Sequence, residues 1–150
     1  GDILTPRRLV DMVTIDAARA LGVDALLGSI EVGKRADLTI LNGGGVTDPY
    51  EAVLAATPSQ IGLVLVDGRP LYGDAAQLPE LPAGPPCETV DICGVSKFLC
   101  LAEADPANLL DQTFADVVGA IEQAQSDYDA LVGPMGIASF SPIAPLTSCP

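Results

Sequence analysis

Between Pro6 and Leu41 the apolar spacing of this chain changes from a helical period to strand-like runs, with glycines at the joints. That change restricts the segment to an α+β arrangement. Thr5-Pro6 supplies an N-cap and a first-turn proline. Leu9, Met12, Val13, Ala17, Ala20 and Leu21 recur at three- and four-residue steps, while Arg7, Arg8, Asp11, Asp16 and Arg19 fall largely on the other side. Gly22 follows, where a left-handed C-cap residue belongs. The spacing predicts one helix over 6–21 that buries a face against something larger. After a short helical or turn segment at 23–27, Gly28-Ser29 opens a strand at 30–32, Gly33-Lys34-Arg35 turns, and a second strand runs over 36–41. Asp37 stands just past that turn, placed to accept turn N–H groups or to pair with Lys34. The plain reading of Lys34, Arg35 and Asp37 is turn chemistry, since a catalytic Asp37 would need a neighbouring base and has none.

A second strand pair follows at 61–66 and 69–72, joined by Asp67-Gly68, a strong two-residue hairpin turn between apolar arms. Thr14, Ala17, Ala18, Leu21 and Gly22 fit the pattern T-x-x-A-x-x-L-G, and Gly28, Ser29, Ile30, Gly33, Lys34, Ala36, Asp37 and Leu38 fit G-S-I/L-x-x-G-K-x-A-D-L. The run IGLVLVDGRPLY at 61–72 fits V-x-x-V-x-V-x-G-x-x-V. These are the patterns of the C-terminal region of the amidohydrolase superfamily, the metal-dependent hydrolases that include cytosine deaminase, imidazolonepropionase and dihydroorotase. Residues 5–73 resemble that region.

The resemblance implies a (β/α)₈ barrel beside a small β-sandwich assembled from both ends of the chain. The helix at 6–21 would be the last barrel-associated helix, and the four strands would be the C-terminal share of the sandwich. Family metal ligands are an H-x-H after the first strand, later histidines, sometimes a carboxylated lysine, and an aspartate after the eighth strand. All would lie upstream of Gly1, and no catalytic, cofactor-binding or metal-binding residue carries over to this sequence, which has no histidine. The chain alone is therefore expected to bind no catalytic metal and to be inactive. The parent enzyme would use zinc or another divalent ion.

Length agrees with a part of such an enzyme, because 150 residues fall well short of the roughly 250 of a full barrel. The chain opens on Gly1 rather than Met, which suggests a processed or truncated end. It has no signal peptide and no membrane-spanning apolar run. A net charge of −13 disfavours nucleic acid and anionic membranes as partners. The acidity is uneven. Residues 1–70 hold six basic and nine acidic side chains, whereas 71–150 hold eleven acidic and only Lys97 basic. A solvated surface is the plain explanation; a saline habitat or a basic docking partner would also account for it.

That change coincides with LPELPAGPP at 78–86, an extended proline-rich linker. The expected organisation is therefore helix and sandwich strands over 1–77, the linker, and an acidic, cysteine-containing extension over 87–150. Within the extension, 95–101 suits a short strand around Lys97. Asp105-Pro106 starts a helix to 131 along Leu110, Phe114, Val117, Ile121, Ala124 and Tyr128, and Gly133-Pro134 ends it. The proline-spaced remainder reads as irregular. The module is too small for a core of its own, so it is expected to clasp the first through this helix.

Cys87, Cys93, Cys100 and Cys149 show no C-x₂₋₄-C knuckle for zinc and no histidine to activate a thiol. Their even number is compatible with disulfides and an exported parent; buried free thiols and a cytoplasmic one remain open, as do three connectivities. Two functions follow. One is the C-terminal part of a metal-dependent amidohydrolase acting on non-peptide C–N bonds of a small molecule, its partners being the missing barrel and N-terminal strands or a second copy of the chain. The alternative is an autonomous acidic interaction or structural module without catalysis.

Overall fold

Thr5 opens α1 (Pro6–Val13) by accepting the Arg8 N–H on its hydroxyl at 3.2 Å. The single helix expected over 6–21 is two, because the helix breaks at Thr14 and resumes as α2 (Ile15–Leu21). Val13, Thr14 and Ile15 are three β-branched residues in a row, which strains a continuous helix. Thr14 leaves helical geometry at φ −119°, ψ −100°, and its hydroxyl bonds back to the Val10 carbonyl at 2.8 Å. Arg8 and Asp16 pair across the break. Gly22 ends α2 in the left-handed region at φ 71°, with Gly22 N–H on Arg19 O and Val23 N–H on Ala18 O, a Schellman closure.

The computed structural model describes residues 4–80, 86–102 and 112–137. They belong to two compact units: residues 1–84 with 89–98, and residues 85–88 with 99–150.

The first unit is an α+β arrangement around a five-stranded sheet. β1 (Leu38–Leu41), β2 (Ile61–Val66), β3 (Arg69–Asp74), β4 (Glu88–Ile92) and β5 (Val95–Leu99) lie in the order β1-β2-β3-β5-β4. The β1/β2 and β2/β3 pairs are antiparallel, with Thr39 opposite Val64 and Val64 opposite Tyr72. Asp67 (φ 50°) and Gly68 (φ 77°) make the expected two-residue turn. β4 and β5 form a second hairpin of the same design on Cys93 (φ 55°) and Gly94 (φ 79°), whose N–H Asp91 accepts at 2.9 Å.

Two expectations need correction. Ile30–Val32 is not a strand: it runs into a turn closed by Lys34 N–H on Glu31 O, and no described strand lies beside it to supply a ladder. The 36–41 strand begins only at Leu38, because Ala36 and Asp37 are occupied by the Asp67-Gly68 turn. Gly68 N–H donates to Ala36 O and Asp67 N–H to Asp37 Oδ1 at 2.6 Å. A further helix, α3 (Pro49–Ala55), is capped by Asp48, which accepts from Tyr50 and Glu51.

The second unit contains α4 (Phe114–Val132), shorter than the expected 106–131 helix at its start; Asp105, Pro106 and Leu110 lie outside the described residues. Thr113 and Asp116 form a reciprocal capping box, and Glu88 accepts the Phe114 N–H. Gly133–Met135 closes the helix as a 3₁₀ turn. Cys87 and Cys100 are bonded to each other and Cys93 is a disulfide cysteine too, which settles disulfides over free thiols for these three. Cys149 and the irregular tail expected after Pro134 fall, from residue 138 on, outside the described residues.

Candidate functional site

The most deeply buried chemistry is on β5. Lys97 and Phe98 are both fully buried, and neighbours on a strand face opposite sides of the sheet. The sheet is therefore covered on both faces at this strand. Phe98 lies against Gly73 of β3, where a Cβ would meet its ring at 2.9 Å and Gly62 O at 2.6 Å. Lys97 Nζ donates to Ser59 O at 2.7 Å, to Ile61 O at 2.8 Å and to Asp74 Oδ1. Asn42 Nδ2 donates to the other Asp74 oxygen at 3.4 Å. The Tyr72 ring lies 5.9 Å from Nζ, and its hydroxyl donates to Pro58 O at 3.2 Å. Burial, with the Asp74 charge second, pushes the Tyr72 hydroxyl above the usual tyrosine range.

Three acceptors use all three donors of an ammonium group. Lys97 thus ties β5 to β3 and to the start of β2 through all of its donors. The sequence places Lys97 on a strand but gives no sign of its burial. Its partners lie at 59, 61 and 74, too far along the chain for spacing to join them.

The second feature is a cavity of about 720 Å³ between the helices, the 23–30 loop and β1. Val10, Val13, Ala18, Leu21, Val23, Leu27, Ile30, Leu38, Leu41 and Val53 give it apolar walls, and Thr14, Ser29, Arg35, Asp37 and Thr39 give its polar rim. Several of these apolar side chains remain in water: Val13 is 75%, Leu21 77% and Ile30 87% exposed. The helical stripe expected to be buried is in the main uncovered.

The turn residues take the roles their types allow. Lys34 pairs with Glu31 at 3.1 Å and donates to Ser29 Oγ at 2.6 Å, and it does not reach Asp37. Ser29, then Lys34, hold the Glu31 carboxyl below its ordinary range by hydrogen bonding. The Asp37 carboxylate is spent on the Asp67 N–H. Among the described residues no three His, Cys, Asp or Glu side chains converge as metal ligands. The donor set here does not fit the family's catalytic metal, and no step through a metal is derived from these residues.

The family model of the amidohydrolase family matches residues 2–71. Residues 2–71 are thus similar to the amidohydrolase family. This chain is 37% identical over 78 residues to a 5-methylthioadenosine/S-adenosylhomocysteine deaminase of Symbiobacterium thermophilum, a match covering 48% of the chain and 18% of that protein. It is 48% identical over 80 residues to an S-triazine hydrolase of Gordonia rubripertincta, covering 49% and 17%. It is 44% identical over 66 residues to an imidazolonepropionase of Shewanella frigidimarina, covering 44% and 15%. The chain spans less than a fifth of the length of each of these relatives. The amidohydrolase match ends inside β3, so β4, β5 and α4 lie beyond it. Within it, the matching glycines have conformational reasons. Gly28 takes φ 90° with a would-be Cβ 2.6 Å from Ala18, and Gly33 takes φ 93° at the turn.

Proposed function

We propose that the chain is the C-terminal part of a metal-dependent amidohydrolase that cleaves non-peptide C–N bonds in a small molecule, with its catalytic barrel elsewhere in the protein. In this reading α1 and α2 are the last barrel-associated helices, the β1–β3 strands are the C-terminal share of a β-sandwich, and residues 87–150 are an acidic extension. The observation that carries it is the apolar cavity whose wall residues Val13, Leu21 and Ile30 stay exposed, inside the segment that matches the family. Apolar side chains left in water at this density fit a surface made to be covered. The barrel and N-terminal strands of the same protein are the proposed cover, and Ile30–Val32 becomes a strand once one of them lies beside it.

The metal, zinc or another divalent ion, would sit in the barrel and activate water for attack on a ring or amidine carbon. This chain's part is to close and brace that barrel. No described helix is long and apolar enough to cross a membrane. The Cys87–Cys100 bond favours an exported protein, since such bonds persist in oxidising compartments.

The test compares this chain with the protein translated from the longer reading frame that contains it. The long protein should hold a stoichiometric divalent metal and release ammonia or open rings from cyclic amidine and triazine substrates, and this chain should do neither. Metal-dependent turnover by the purified 150-residue chain would overturn the proposal.

A further inference from the structure

Lys97 and Phe98 are buried on opposite faces of one strand, and the three acceptors of Lys97 stand at residues 59, 61 and 74. The ammonium stays paired only while β5 lies against β3. β5 is joined to the edge strand β4 through the Cys93-Gly94 turn. Cys87 immediately precedes β4 and Cys100 immediately follows β5, each separated from the turn by one five-residue strand. They face each other across the open end of the hairpin with Cα atoms 4.1 Å apart. A two-stranded hairpin is marginal by itself, and one that carries a buried cation has more to lose when its ends fray.

We propose that the Cys87–Cys100 bond is a thiol-sensitive latch: its reduction lets the β4–β5 hairpin leave the sheet and brings Lys97 into water, while β1, β2 and β3 stay paired. The reductant is a dithiol. Cys100 is buried and Cys87 is partly exposed, so the incoming thiolate attacks Cys87 Sγ. The S–S bond breaks, and its electron pair leaves on Cys100 Sγ, which takes a proton. The second thiol of the reagent then displaces Cys87 as a thiolate, protonated in turn. Two electrons have passed to the protein, and the reagent departs as a cyclic disulfide. The sheet is complete in an oxidising compartment and loosened in a reducing one.

Lys34 and Lys97 are the only lysines, so amine acylation by an N-hydroxysuccinimide ester, read by peptide mass, reports on the latch with its own control. The whole chain is compared oxidised, after dithiothreitol, and as the Cys87→Ser/Cys100→Ser variant, which retains Cys93. Labelling of Lys97 should rise about tenfold or more in the last two, as protection lost by local opening requires. Lys34 labelling and slow amide exchange over 61–66 should be unchanged. Lys97 labelling in the variant equal to that in the oxidised chain would overturn the latch. Loss of exchange protection over 61–66 in the variant would overturn it as well, because the bond would then hold the whole sheet.

Discussion

Replacing Asp74 with alanine should lower the stability of the sheet by about 3–5 kcal/mol, the usual cost of removing one partner from a buried ion pair. The size follows from the surroundings of Lys97. Its side chain is fully buried, and after the change its ammonium would keep Ser59 O and Ile61 O but lose the one counter-charge it has among the described residues. The two remaining carbonyls place the cost toward the lower end of that range. Asp74→Asn retains an oxygen acceptor at the same place and loses only the counter-charge, so it should cost less than Asp74→Ala. Lys97→Met removes the cation and leaves the carbonyls unpaired, so the Lys97→Met/Asp74→Ala double variant should lose clearly less than the sum of its singles. The measurement is urea unfolding followed by circular dichroism at one protein concentration, comparing midpoints at constant slope. An Asp74→Ala midpoint equal to the parent's, or strict additivity in the double variant, would refute the account of Lys97 as a buried tie.

Gly73→Ala should cost about 1–3 kcal/mol, as overpacking does, since its Cβ would press on Gly62 O and the Phe98 ring. Gly119→Ala meets nothing within 4 Å on α4 and should instead gain about 0.5–1 kcal/mol of helix stability; thermal melts of the two should move in opposite directions. Thr113→Ala should destabilise α4 by about 1 kcal/mol as an N-cap loss. Bonds from Thr113 hold the Asp116 carboxyl below its ordinary range, so their contribution is present above the unfolded carboxylate range and lost as pH falls through the folded value. The parent–variant difference in melting temperature should therefore shrink in acid, and a gap that widens would contradict this. The isolated chain should also self-associate through the exposed apolar side chains of the cavity wall, giving light scattering that grows with concentration; Leu21→Asp should reduce it, and a strictly monomeric parent would count against that surface.

How far the fold was legible depended on whether the signal was local. Asp67-Gly68 specifies its own turn, so the β2–β3 hairpin could be read from adjacent residues, and the apolar steps from Phe114 to Tyr128 marked α4. The break at Thr14 was not legible, because periodicity runs unbroken through Val13 and Ile15 while the backbone does not. α3 was announced by Asp48-Pro49, the same start as Thr5-Pro6, but is too short for a periodic stripe. The β4–β5 hairpin hid behind Cys93, an unusual residue for a left-handed turn position. Asp37 was legible as a turn acceptor, though the turn it serves lies 30 residues away. Ile30–Val32 has the composition of a strand, but a strand also needs a neighbour.

Lys97 is the only basic side chain after residue 70, and it is wholly enclosed. Every charge that residues 71–150 present to solvent is therefore negative. Exposed charges of one sign cannot pair with one another, and their mutual repulsion has a range set by the Debye length. Added salt, which weakens proteins that rely on surface ion pairs, here removes a cost. The acidic half of this chain gains cohesion as ionic strength rises.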